Sequence, residues 1–103
     1  MSERLTQLEK LHVADPADPF LTYGLALEHA KAGRFEQAID WLDKTLALDP
    51  HYHYAYFQKA KALGELGRDD EAKQVLRSGI AQAQQARNEK AQRELTELLE
   101  SFE

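Results

Sequence analysis

Residues 17–50 read ADPFLTYGLALEHAKAGRFEQAIDWLDKTLALDP, and residues 51–84 read HYHYAYFQKAKALGELGRDDEAKQVLRSGIAQAQ. Superposed with a shift of 34, they match Ala26 with Ala60, Gly33 with Gly67, Arg34 with Arg68, Ala38 with Ala72, Leu42 with Leu76 and Ala47 with Ala81. Tyr23 falls on Phe57, Glu36 on Asp70, Gln37 on Glu71 and Leu46 on Ile80, and Asp15-Pro16 recurs as Asp49-Pro50. Six identities are few by number. Their placement carries the inference, because they fall where a helix hairpin needs small or turn residues. A fixed period of this length marks a repeat array whose units bury their apolar faces on one another.

Each unit reads as two helices. Phe20 to Ala32 is rich in helix formers with apolar residues at helical spacing, and Gly33 follows where a left-handed residue is cheapest. A second helix runs from about Phe35 to Leu48 and stops before Asp49-Pro50, since proline disfavours helix in the residue before it. Tyr54 to Leu66, Gly67 and a helix from about Asp69 repeat the plan. Ala26, Ala38, Ala60 and Ala72 are small where paired helices approach closely. Gly79 costs about 1 kcal/mol relative to Ala inside a helix, and close packing is the reason to tolerate it.

The pattern resembles the tetratricopeptide repeat family over Pro19 to roughly Ala86, as two repeats (19–52 and 53–86). Ala26, Gly33, Phe35, Ala38, Leu46, Leu48 and Asp49-Pro50 sit where that family places its signature residues, as do Tyr56, Ala60, Gly67, Ala72 and Ile80. Thr22 stands where the family favours Trp, His29 where it favours Tyr, Asp69 for an aromatic, and Ala83-Gln84 for Asp-Pro. The resemblance implies an all-α fold of antiparallel helical hairpins in a right-handed superhelix, forming a single domain.

Capping helices are expected at both ends, over 1–15 and 88–103. Met1, Leu5, Leu8 and Leu11 or His12 make a stripe on the first, and Leu8, Leu42 and Leu76 are evenly spaced, so it resembles the second half of a truncated repeat. Ala91, Leu95, Leu98 and Phe102 make a stripe on the last, with Glu89, Lys90, Arg93, Glu94, Glu97 and Glu100 solvating the rest. Solenoids need terminal helices with one polar face to stay soluble. A break near Arg87-Asn88, where Asn starts a helix, and one uninterrupted helix from Asp69 to Phe102 both remain open readings.

By the same resemblance, the first helix of each hairpin lines a concave groove. Carried onto this chain, the groove residues are Phe20, Tyr23, Leu27 and Lys31, then Tyr54, Phe57, Lys61 and Glu65. Their spacing puts each set on one helix face. Four aromatics in a groove form an apolar patch of the kind that marks interaction sites. The implied function is non-catalytic binding of a partner protein or peptide; the alternatives are that the same aromatics seat a second copy as a homodimer, or serve as core. The Lys/Asn/Arg clamp that some members use for a C-terminal carboxylate is missing, its places holding Tyr23, Gly24, Phe57 and Gln58.

Other candidates carry less. His51 and His53 with Asp49 have metal-ligand residue types, but they fall in an inter-helix turn, and alternate residues share a side only in an extended segment. No metal and no cofactor are expected. His29 faces its partner helix and reads as a packed, hydrogen-bonded histidine, and Trp41 as packing or surface aromatic. Glu36, Asp40, Asp43 and Lys44 read as a solvated face with an Asp40–Lys44 pair.

Composition agrees. The 103 residues carry 13 Lys+Arg against 18 Asp+Glu, a net charge of −5, which argues against nucleic acid, whose binding rests on cationic contacts to phosphate. The absence of cysteine excludes disulfides, a thiolate nucleophile and Cys-ligated zinc. No apolar run approaches membrane-spanning length, and the N-terminus lacks the apolar stretch of a signal peptide, so a cytoplasmic protein with no membrane partner is the expectation.

Overall fold

The turns between helices set the path of the chain. In the structure, a computed structural model describing residues 3–103, helices α1 (Glu3–Ala14), α2 (Pro19–Lys31), α3 (Phe35–Leu48), α4 (His53–Glu65), α5 (Asp69–Gln85) and α6 (Glu89–Ser101) follow one another with no strand among the described residues. Asp18 starts α2 by accepting a hydrogen bond from the Phe20 amide at 2.9 Å, with Pro19 in the first turn, where its missing N–H costs nothing. α3 stops at Leu48 because Asp49, held before a proline, takes an extended conformation.

Three tight reversals share one chemistry. Gly33 (φ 77°), Gly67 (φ 75°) and Arg87 (φ 56°) are left-handed. At each, the next amide reaches back five residues: Arg34 to the His29 carbonyl, Arg68 to Leu63 and Asn88 to Ala83, at 2.8–2.9 Å. These are Schellman ends that satisfy otherwise orphaned helix carbonyls. The third reversal decides between the two readings of residues 69–102. The chain makes two helices there, and the Asn88 side chain caps the second by accepting from the Ala91 amide at 3.0 Å. Arg87 occupies a backbone region that glycine enters freely and other residues enter at a cost.

Packing follows the small residues. Ala38, Ala60 and Ala72 are fully buried and Ala26 nearly so. Leu25, Leu42, Leu63, Leu76 and Leu95 are the large side chains sealed between the helices. The two hairpins fill one equivalent crossing differently. Thr22 of α2 meets Thr45 of α3, their hydroxyls 2.8 Å apart. The positions 34 residues on are Tyr56 of α4 and Gly79 of α5, where a Cβ on the glycine would lie 2.7 Å from Tyr56 Cβ. Two medium residues in one hairpin are thus replaced by a large and a null side chain in the next. Gly79 is the close approach its position implies.

At the N-terminal end Leu5 and Leu8 are buried against Leu21 and Leu25. Leu11 is 54% exposed, and the stripe is instead completed by His12, whose ring stands edge-on to Trp41 at 4.9 Å. Met1 lies outside the described residues. At the other end Ala91 and Leu95 are buried, and Leu98 and Phe102 pack on the same core.

Curvature comes from which helices meet. The backbone of α4 comes close to those of α2 and α6, whereas α1, α3 and α5 keep their backbones apart and α1 reaches α3 through side chains, as His12 does Trp41. The array therefore bends toward α2, α4 and α6, which make its inner face. Among the described residues, no helix is long and apolar enough to cross a membrane.

Candidate functional site: the inner face

Two open clefts flank α4 on the inner face. The first, about 380 Å³, lies between α2 and α4, with Leu27, Phe35 and Ala62 as apolar walls and Lys31, Lys61 and Glu65 at its edge. The second, about 320 Å³, lies between α4 and α6, lined by Phe57, Glu94, Glu97, Leu98 and Ser101. α4 forms the ridge between them, and Lys61 Nζ stands 5.8 Å above the Phe57 ring.

The eight residues that the sequence assigns to a groove divide accordingly. Leu27, Lys31, Lys61 and Glu65 are brought together in the first cleft, and Phe57 lines the second. Tyr54 turns toward α6, its hydroxyl 3.5 Å from Glu94 Oε1. Phe20 is 62% exposed at the start of α2 and lines neither cleft. Tyr23 is half-buried, its ring tilted against Tyr52 at 4.9 Å, and it packs on Ala26, Leu42 and Ala55. Burial, and then the neighbouring Tyr52, push the Tyr23 hydroxyl above its ordinary pKa, opposed by its hydrogen bond with Gln58. Tyr23 and Phe57 are thus partly core, and Tyr54 and Phe57 adjoin each other against α6.

Sequence reading missed the contribution of α6, treated there as a cap alone. Asp18, Tyr52 and Asn88 precede α2, α4 and α6, spaced by 34 residues and then by 36. The slip arises because α5 is longer than α3, and it hides α6 as a third inner helix. The N-cap residues carry the alignment that the period loses.

The remaining candidates are resolved by geometry. Arg34 Nε donates to His29 Nδ1 at 2.9 Å. Burial, then the Arg34 charge, hold the His29 imidazole below its ordinary pKa. The His51 and His53 rings are 6.2 Å apart, and His53 Nδ1 lies 3.3 Å from Asn88 Nδ2. Among the described residues no group of three or more His, Cys, Asp and Glu is arranged to hold a metal ion. Asp43 is not merely a solvated charge: it pairs with Lys59 at 2.6 Å, tying α3 to α4. Lys44 stands 4.2 Å over the Trp41 ring.

The architecture is that of a curved helical-repeat array with an open inner face. The tetratricopeptide repeat model matches residues 29–95, and the chain belongs to that family. It is 37% identical over 59 residues to an uncharacterized protein of Methanocaldococcus jannaschii, a match covering 57% of this chain and 69% of that one. The solution structure of a tetratricopeptide repeat domain protein from Salinibacter ruber superposes with a TM-score of 0.80 at 31% identity, covering 86% of this chain and 90% of that one. PcrH, solved in complex with the chaperone binding region of PopD, superposes with a TM-score of 0.87 at 22% identity, covering 95% of this chain and 74% of that one.

Proposed function

We propose that this protein is a non-catalytic interaction module that holds a segment of another protein against its inner face. The observation that supports this most is the pair of open, partly apolar clefts astride α4. Each is large enough for one or two side chains, and together they suit a short segment crossing the helices rather than a single enclosed small molecule. Leu27, Phe35, Ala62, Phe57 and Leu98 supply apolar surface, and the charged rim supplies orientation. PcrH offers a parallel in a scaffold of the same shape, since it was solved with a segment of PopD.

The test uses a displayed library of short random peptides panned against the purified protein. Peptides selected by the wild type should perturb amide resonances of α2, α4 and α6. Leu27→Asp should abolish their binding while keeping helical content. The reading fails if no peptide is selected, or if the perturbed amides fall on α1, α3 and α5. Sedimentation at several concentrations should show a monomer; a dimer that buries these clefts would instead make the inner face a self-association seam.

A further inference from the structure

The inner face changes sign across α4. On the α2 side the cleft is rimmed by Lys31 and Lys61 with a single carboxylate, Glu65. On the α6 side the charged residues of the lining are Glu94 and Glu97, with Lys61 Nζ at the boundary over Phe57. Much of this charge is not neutralised internally. Lys61, Glu94 and Glu97 make no ion pair among the described residues, and Lys31 lies 3.5 Å from Glu28, a carboxylate it shares with Arg4. Glu94 has only a long contact of 3.5 Å with the Tyr54 hydroxyl. The exposed charges Lys61, Glu94 and Glu97 gain little from such distant contacts in water and stay available to a ligand, whereas Lys31, itself exposed, also faces the buried Glu28 carboxylate. Phe57 lies between the two sets of charges, with Lys61 Nζ 5.8 Å over its ring.

Resting on the reading that the inner face holds a peptide, we propose that its partner segment is extended and zwitterionic: an acidic side chain seated in the α2–α4 cleft beside Lys31 and Lys61, and a basic one in the α4–α6 cleft beside Glu94 and Glu97. The spacing follows from the helices. The two clefts lie on opposite flanks of α4, so they are separated by about one helix width, roughly 10–12 Å. A polyproline II segment covers about 9 Å in three residues and returns to the same side. A β-strand returns to the same side every two residues, so residues four apart, about 13 Å, share one face with the residue midway between them. The acid and the base are therefore three or four residues apart; at the strand spacing of four, the residue midway between them faces Phe57 and is apolar. A segment with both charges of one sign meets repulsion in one cleft, and this discriminates between partners more than it adds affinity.

The experiment is to pan the same random-peptide library against the wild type and two charge-reversed variants, Lys31→Glu/Lys61→Glu and Glu94→Lys/Glu97→Lys. All four side chains are at least partly solvent-exposed, and thermal melts establish that each variant folds. Peptides taken by the wild type should be enriched in an acid and a base three or four residues apart. The lysine-reversed variant should lose the preference for the acid and the glutamate-reversed variant the preference for the base. A wild-type peptide should weaken by about threefold to fivefold on either variant, less at high salt. Peptides that bind the inner face without this pairing, or with a pairing indifferent to the reversals, overturn the charge assignment and leave peptide binding standing. Failure to select any peptide overturns both.

Discussion

Gly79 of α5 lies so close to Tyr56 of α4 that the Cβ it lacks would sit 2.7 Å from the tyrosine Cβ and 3.2 Å from Leu95 Cδ1. The first of these neighbours is fixed to the α4 backbone, so it cannot swing aside. Helix propensity alone favours Gly79→Ala by about 1 kcal/mol. The clash opposes it, since overpacking a tight core costs roughly 1–3 kcal/mol. The substitution should lower the melting temperature. An increase would show that α4 and α5 are free to part at this point.

Thr22 and Thr45 solve the same crossing in the first hairpin by another route. Each hydroxyl also lies within reach of a helix carbonyl, Thr22 of Pro19 at 3.0 Å and Thr45 of Trp41 at 2.9 Å. Two hydroxyl protons thus serve three contacts. Thr22→Val or Thr45→Val should each cost about 1 kcal/mol by removing one hydrogen-bonding partner from a buried hydroxyl. The double variant, apolar on both sides, should cost less than the sum. Denaturant unfolding of the three variants measures the coupling, and strict additivity would mean that the hydroxyls do not interact.

Arg87 closes the third Schellman turn in a conformation that Gly33 and Gly67 provide in the other two. Arg87→Gly should therefore stabilise the protein, by up to about 1–2 kcal/mol less the entropy that glycine adds to the unfolded chain. Gly67→Ala should destabilise it, although a Cβ there has open space, because the penalty lies in the backbone angle. Thermal melts of the two variants should move in opposite directions, and a stable Gly67→Ala would contradict the assignment.

His29 carries a pH dependence of definite sign. Its imidazole is held below its ordinary pKa in the folded protein, first by burial and then by Arg34. The unfolded chain therefore binds the proton more readily, and stability present above the ordinary histidine value, about 6.5, falls as the pH drops through it. The His29 ring resonances should titrate at lower pH than those of a free histidine, and Arg34→Gln should move that midpoint up. A midpoint at or above the free value would remove the argument.

Much of this was legible in the residues. The 34-residue shift, the paired alanines, the glycines at Gly33 and Gly67 and the stop before Asp49-Pro50 are local signals, and each marks what the chain does there: helix, close approach, left-handed turn, helix end. Half of the candidate groove was legible for the same reason. Leu27, Lys31, Lys61 and Glu65 follow from helical periodicity on two helices, and they do meet in one cleft.

What the residues did not disclose depends on pairs distant in the chain. Whether Leu11 or His12 turns inward was settled by Trp41, whose ring meets the His12 edge. Thr22 looked like a departure from the repeat until Thr45 was seen opposite it, 23 residues away. Tyr23 and Phe57 read as groove aromatics, and only the packing of Tyr52 and α6 against them shows how much of each ring serves the core. The sequence by itself determined the two hairpins, their turns and their pairing, because capping, left-handed glycines and periodicity act within a few residues, whereas the break at Arg87, which lacks a glycine, was decided by the structure. The tertiary structure decided the inner face. Its clefts and its change of sign exist only where α2, α4 and α6 are brought side by side, and that juxtaposition depends on burial and curvature, which no single stretch of chain encodes.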